Sequence, residues 1–199
     1  MPDTFDPIED AVATIAAGEI VVVVDAEDRE NEGDFICAAA KATPEVINRM
    51  ITHGRGQTCV PILPELAARL KLRHMVEDNT APMRTAFTVS VDHCSCKTGI
   101  SAFERSRTVQ AIVDPATRPE DLLRPGHMHP LIAKEGGVLR RAGHTEATVD
   151  LARLAGFDPA AGVLCEILSP SGRMADRDEL FAIARKFGLK IIAIEDLVR

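Results

Sequence analysis

The sequence predicts an α/β protein: a three-layer α/β/α sandwich around a mixed β-sheet, in a single domain spanning residues 1–199. Three observations carry that expectation. Apolar, β-branched runs without alternation, such as residues 20–24, suit strands buried on both faces. Helical stretches with cap signals lie between such runs, but not in the strict rhythm of an all-parallel sheet. A length of 199 residues with 46% hydrophobic content suffices for one sizeable core, and no repeat, low-complexity tract or linker divides it.

In order, Asp6 as N-cap, Pro7 at the first helical position and Glu9 at N3 make a capping box. Ile8, Ala11, Val12 and Ile15 give that helix one apolar face, and Gly18 ends it. Residues 20–24 and 35–40 are core strands joined by the stretch 25–34. Thr43 and Pro44 open a second helix with Val46, Ile47, Met50 and Ile51 on one side, stopping near Gly54 and Gly56, which read as a turn. A strand at 58–62, a short helix at 64–72 and a loop at 75–84 follow. Residues 86–91 alternate as a strand should. Ser101 with Glu104 caps a helix that holds Thr108 and reaches about Val113. Residues 114–126, with three prolines, read as a surface connection with one helical turn at 120–123. After the apolar residues 131–133, Gly136 and Gly137 make a turn. A helix then carries Ala147, Leu151, Leu154 and Ala155, with Thr145 as N-cap and Gly156 as its stop. Residues 163–168 form a buried strand, Asp176 with Glu179 caps a last helix over 180–187, and 189–194 is the closing strand.

A net charge of -7 leaves no general basic face for nucleic acid or an anionic membrane. Residues 1–10 lack the pattern of a secretory signal and no apolar run has the length of a membrane span, which predicts a cytoplasmic protein. Five scattered cysteines with no CxxC pair predict free thiols.

Chemistry concentrates in Asp25, Glu27, Asp28, Glu30, Glu32 and Asp34, six carboxylates around the single arginine Arg29, directly after an apolar strand. Acids this close repel one another, and an ordered loop of this composition calls for a hard divalent cation. It is no EF-hand, because Glu30 and Ile36 stand where that loop needs glycine and glutamate. Glu166 is alone in an otherwise apolar run, so it must be paired or functional. Arg141, beside Gly143 and a predicted helix N-terminus, makes a seat for phosphate. A metal-dependent phosphosugar isomerase or aldolase and a non-catalytic cation-binding module both fit these features.

Five longer motifs narrow the choice: Asp-Arg-Glu-Asn-Glu-Gly-Asp at 28–34, Thr-Ala-Phe-Thr-Val-Ser at 85–90, Thr-Gly-Ile-Ser-Ala at 98–102, Arg-Pro-Gly-His at 124–127 and Arg-Ala-Gly-His-Thr-Glu at 141–146. In this order they resemble the 3,4-dihydroxy-2-butanone 4-phosphate synthase family, in its monofunctional form. The resemblance implies conversion of D-ribulose 5-phosphate to formate and L-3,4-dihydroxy-2-butanone 4-phosphate, a step of riboflavin biosynthesis. It also implies magnesium or manganese, two divalent ions per site, and a homodimer that shares its active sites. It makes Glu30 and His144 the metal ligands, and His127, Glu166 and Asp34 the catalytic residues. Substrate contacts would come from Arg29, Glu30, Asp34, Thr108, Arg141, Ala142, Gly143, His144, Thr145 and Glu166.

Overall fold

Strands that are apolar on both faces need a helical layer on each side, and that requirement organises the chain. A computed structural model describes residues 4–199, so the reading of the first ten residues lies partly outside the described residues. Among the described residues the strands are β1 (Val21–Val24), β2 (Gly33–Ala38), β3 (Arg55–Ile62), β4 (Val91–His93), β5 (Leu122–Ile132), β6 (Gly162–Ile167) and β7 (Lys190–Ala193). They form one sheet in the order β4-β5-β3-β6-β2-β1-β7. The pairs β1 with β7 and β3 with β5 run parallel and the other four run antiparallel, which makes the sheet mixed as expected.

The helices are α1 (Ile8–Ala17), α2 (Pro44–His53), α3 (Pro64–Arg69), α4 (Ala102–Val113), α5 (His144–Leu154), α6 (Arg177–Phe187) and α7 (Ile194–Val198). Alternate residues of each strand serve opposite layers. Val22, Val24, Val163 and Cys165 join Ile47, Met50, Val109, Ile112 and Leu180 from α2, α4 and α6. Val21, Val23 and Leu164 join Ala11, Ile15, Ala147, Leu151 and Ile194 from α1, α5 and α7. The result is the three-layer sandwich. Each buried valine or leucine contributes about 1.5–3 kcal/mol relative to an exposed one.

Several local expectations are corrected. Asp6 does not cap α1, which has Pro7 as N-cap with no side-chain bond. Its carboxylate instead accepts from Lys190 Nζ and from the Ile191 N–H, tying the N-terminal segment to β7. Gly54 and Gly56 are not a simple turn. Gly56 lies inside β3, where a Cβ would come 2.5 Å from Glu166 Cβ, so the glycine permits close approach of β6 at a bulge. Residues 86–90 make only isolated bridges, such as Phe87 with Leu131, and the ladder starts at Val91. The connection expected over 114–126 ends early, because β5 begins at Leu122 and runs through Pro125 and Pro130. Thr145 is not the cap of α5; Gly143 is, and Thr145 sits inside the first turn. The helix over Arg177–Phe187 is not the last, since the chain closes with α7. Ser101 does cap α4, but the Glu104 carboxylate turns to the N–H groups of Lys97 and Gly99 instead of closing a reciprocal box.

Candidate active site

Antiparallel pairing sets Val24 opposite Gly33, so the acidic stretch is a hairpin loop at one end of the β1–β2 pair. Asp25, only 2% exposed, is its inner tie. Its Oδ1 accepts from the Glu32 N–H at 2.9 Å, and its Oδ2 accepts from the Glu30 N–H at 3.1 Å and from Arg29 Nη1 at 2.7 Å. Arg29 Nη1 also donates to Glu30 Oε2 at 2.6 Å. One guanidinium therefore neutralises two of the loop's acids, and this is how the repulsion is relieved within the loop. On the next strand pair, register places Asp34 opposite Glu166. Glu166 Oε2 accepts from the Gln57 N–H at 3.0 Å, which satisfies half of the lone carboxylate.

The second wall is the start of α5. Gly143 offers no side-chain cap, so N–H groups of the first turn stay available. A Cβ there would come 2.5 Å from Arg141 Nη1 and 2.7 Å from Arg29 Nη2, so the absence of a side chain lets two guanidinia gather at a helix N-terminus. Arg141 is held in place by the buried Glu146, at 2.7 Å, with further bonds from Nη2 to the Met83 carbonyl and Thr85 Oγ1. His144 lies on the first turn with Nε2 3.1 Å from the Val23 carbonyl and Nδ1 3.7 Å from Glu30 Oε2. A carbonyl only accepts, so Nε2 carries hydrogen, and Nδ1 is the nitrogen left for a ligand.

These elements line an open cavity of about 110 Å³ whose lining includes Arg29, Glu30, Asp34, Arg141, His144, Thr145 and Glu166, all expected from the sequence. Glu32, Cys59, Thr85 and Phe87 also line it, although none of them was given a site role from the sequence. Ala142 lies between Arg141 and Gly143, outside the lining residues. Thr108 is not at the cavity: it is buried in α4, where its hydroxyl donates to the Glu104 carbonyl and accepts from the His93 N–H. His127 is also absent from the lining; it stands on β5 with its side chain 44% exposed, 2.6 Å from Asp92. From the sequence Asp25 reads only as one of the loop's six acids and Glu146 only as part of a motif, because their roles lie in backbone and arginine contacts that only the fold brings together.

The electrostatics are strongly coupled. The His144 ring, then Arg29, holds the Glu30 carboxyl at about 2 against the opposing effect of burial. Burial, reinforced by Glu166, Glu30 and Glu32 and resisted by His144, pushes Asp34 up to about 7. Burial disfavours the charged His144, but Asp34, Glu30 and Asp25 outweigh it and raise the ring to about 9. Burial raises the Cys59 thiol well above its ordinary range, with Glu166 and Asp34 adding to it, so Cys59 is no thiolate near neutrality.

Asp25, Glu30 and His144 bring one ligand atom each within 4.8 Å of one another. Both Asp25 oxygens already accept hydrogen bonds, whereas Glu30 Oε1 makes none among the described residues and His144 Nδ1 faces only Glu30 Oε2, at 3.7 Å. The donor set, carboxylate oxygen with one imidazole, suits magnesium or manganese better than a soft metal. The pair Glu30 and His144 therefore fits a divalent cation, with Asp25 holding the loop that presents Glu30.

The family model of 3,4-dihydroxy-2-butanone 4-phosphate synthase matches residues 9–199. The chain is 59% identical over 195 residues to a Bacillus subtilis protein named riboflavin biosynthesis protein RibBA, covering 98% of this chain and 49% of that protein. The chain thus spans about half the length of the curated relatives it matches. A solved two-domain 3,4-dihydroxy-2-butanone 4-phosphate synthase from A. baumannii, RibBX, superposes with a TM-score of 0.93 at 48% identity, over 96% of this chain and 56% of that one. A 3,4-dihydroxy-2-butanone 4-phosphate synthase in complex with two magnesium ions superposes with a TM-score of 0.91 at 43% identity, over 97% and 95% of the two chains. The chain belongs to the 3,4-dihydroxy-2-butanone 4-phosphate synthase family.

Proposed function

We propose that this chain, as one catalytic domain working in the cytoplasm, converts D-ribulose 5-phosphate to L-3,4-dihydroxy-2-butanone 4-phosphate and formate. The observation that carries the reading is the convergence of the hairpin-loop acids, Asp34, Glu166 and the α5 N-terminus on one cavity. The two products together contain the atoms of the substrate, so no redox cofactor is required. In this reading the substrate phosphate meets the first-turn N–H groups of α5 with Arg29 and Arg141, and Ala142 and Gly143 supply main chain without bulk. Glu30 and His144 hold divalent magnesium or manganese, two ions per site, which supplies Lewis-acid polarisation of the sugar oxygens when bound.

The remaining work falls to the chain's own groups. Asp34, buried opposite Glu166 and lining the cavity, is placed to take or return a proton. Glu166 keeps one oxygen uncommitted after accepting from Gln57, and Thr145 belongs to the same cavity lining. Thr108 has no part in this reading, because its hydroxyl is already engaged inside the fold.

His127 serves the site of a second copy in a homodimer. Two strand steps separate β5 from β6, about 10 Å at ordinary strand spacing and too far for one hydrogen bond to Glu166. Three exposed apolar side chains belong to the segments that surround it. Leu123 pairs with Asp92, Ile100 follows Gly99 against the His127 ring, and Phe103, 70% exposed, lies on the first turn of α4. Exposed apolar side chains on the segments next to an exposed histidine suit burial against a partner. Formate release from ribulose 5-phosphate with magnesium tests the activity. Isomerisation without formate would favour a different phosphosugar enzyme, and cation binding without turnover a binding module.

A further inference from the structure

Away from the cavity, one pair of titratable groups is held from three sides. Asp92 on β4 receives two hydrogen bonds from His127 on β5: its Oδ1 accepts the backbone N–H at 2.9 Å, and its Oδ2 lies 2.6 Å from Nδ1. The third side is Gly99, at φ +79°, where a Cβ would overlap the Asp92 carboxylate and come 2.6 Å from His127 Nδ1. The turn carrying Gly99 is fixed by Glu104, which accepts from the Lys97 N–H at 2.6 Å and the Gly99 N–H at 3.1 Å. A carboxylate accepts, so Nδ1 carries the hydrogen and the neutral ring has its lone pair on Nε2. No hydrogen bond reaches Nε2 among the described residues.

We propose that Asp92 is the positioning residue of His127, fixing its ring and tautomer so that Nε2 is a ready proton acceptor. When His127 acts, a C–H or O–H bond of the substrate breaks, the electron pair stays on the substrate, and the proton forms an N–H bond at Nε2. The imidazolium charge then sits against the Asp92 carboxylate until the proton is returned. The dyad rests on the proposed reaction for its substrate alone; the tautomer follows from the geometry whatever the reaction.

The test is nitrogen-15 NMR of histidine-labelled full-length protein together with steady-state kinetics of Asp92→Asn. Wild-type neutral His127 should show hydrogen on Nδ1 and the lone pair on Nε2. In Asp92→Asn the carboxamide can donate to Nδ1, which moves the hydrogen to Nε2, and kcat should fall by about 10²- to 10⁴-fold with KM within about threefold. Adding His127→Gln to that variant should remove little more, because the two residues act as a unit. A wild-type His127 with hydrogen on Nε2 overturns the proposal, and that measurement decides even where the variant fails to fold. So does an Asp92→Asn protein that loses melting temperature but retains wild-type kcat per folded molecule. Failure of the wild-type protein to release formate would sink the proposed reaction and leave the tautomer result standing.

Discussion

The two reactive regions of this molecule are built on opposite plans. The hairpin loop and the α5 N-terminus fold toward each other and line a cavity with charges that largely satisfy one another: Arg29 between Asp25 and Glu30, Arg141 against Glu146. The β4–β5 end fixes His127 as firmly, yet leaves it 44% exposed with apolar side chains on the segments around it. A group held firmly yet left exposed is available to a second surface, which is the role proposed for it above. In the dimer proposed above, the first region would be the half of the site finished within one chain and the second the half presented for assembly.

The largest effect that would break this comparison lies in the finished half. Glu30→Gln should reduce turnover by about 10²- to 10⁴-fold while the metal-free protein melts within a few degrees of wild type, since Arg29 retains Asp25 as its main partner. A large fall in melting temperature, read by scanning calorimetry, would instead make Glu30 a structural tie. Asp25→Ala should do the reverse. It removes three hydrogen-bond acceptances from a buried carboxylate and leaves Arg29 half-paired, which should lower stability by about 3–5 kcal/mol in urea titration. Wild-type stability would show that the loop does not hang on this residue. A smaller effect is expected from Arg141→Lys, which keeps a charge near buried Glu146 but loses the forked contacts to Met83 and Thr85. KM for the sugar phosphate should rise about tenfold with kcat within about threefold. Unchanged KM with a collapsed kcat would move the phosphate elsewhere.

The same contrast explains what the sequence made legible. The hairpin loop was readable because six acids follow an apolar run, and such a composition has few folded solutions. Thr43, Ser101 and Asp176 were readable as caps because capping is a local interaction. The presented half was harder to read. Pro125 disguises the start of β5 as a connection, and the parallel pairing with β3 and the antiparallel pairing with β4 keep the strand extended. Asp6 looks like a cap until Lys190 and Ile191 arrive from the far end of the chain to claim its carboxylate. Asp92 carries no signal of its own in the sequence. Its meaning depends on a histidine 35 positions away that β4–β5 pairing brings alongside.

The claim that the site is completed by a second chain has a direct test. Glu30→Gln and His127→Gln are prepared separately, each inactive as a homodimer, then unfolded, mixed in equal amounts and reassembled. If Glu30 and His127 of one site come from different chains, each mixed dimer has one site with both lesions and one with neither. About half the dimers are mixed, so roughly a quarter of wild-type activity should return. No recovery, with mixed dimers verified by mass, would place both residues in the site of a single chain and contradict the account.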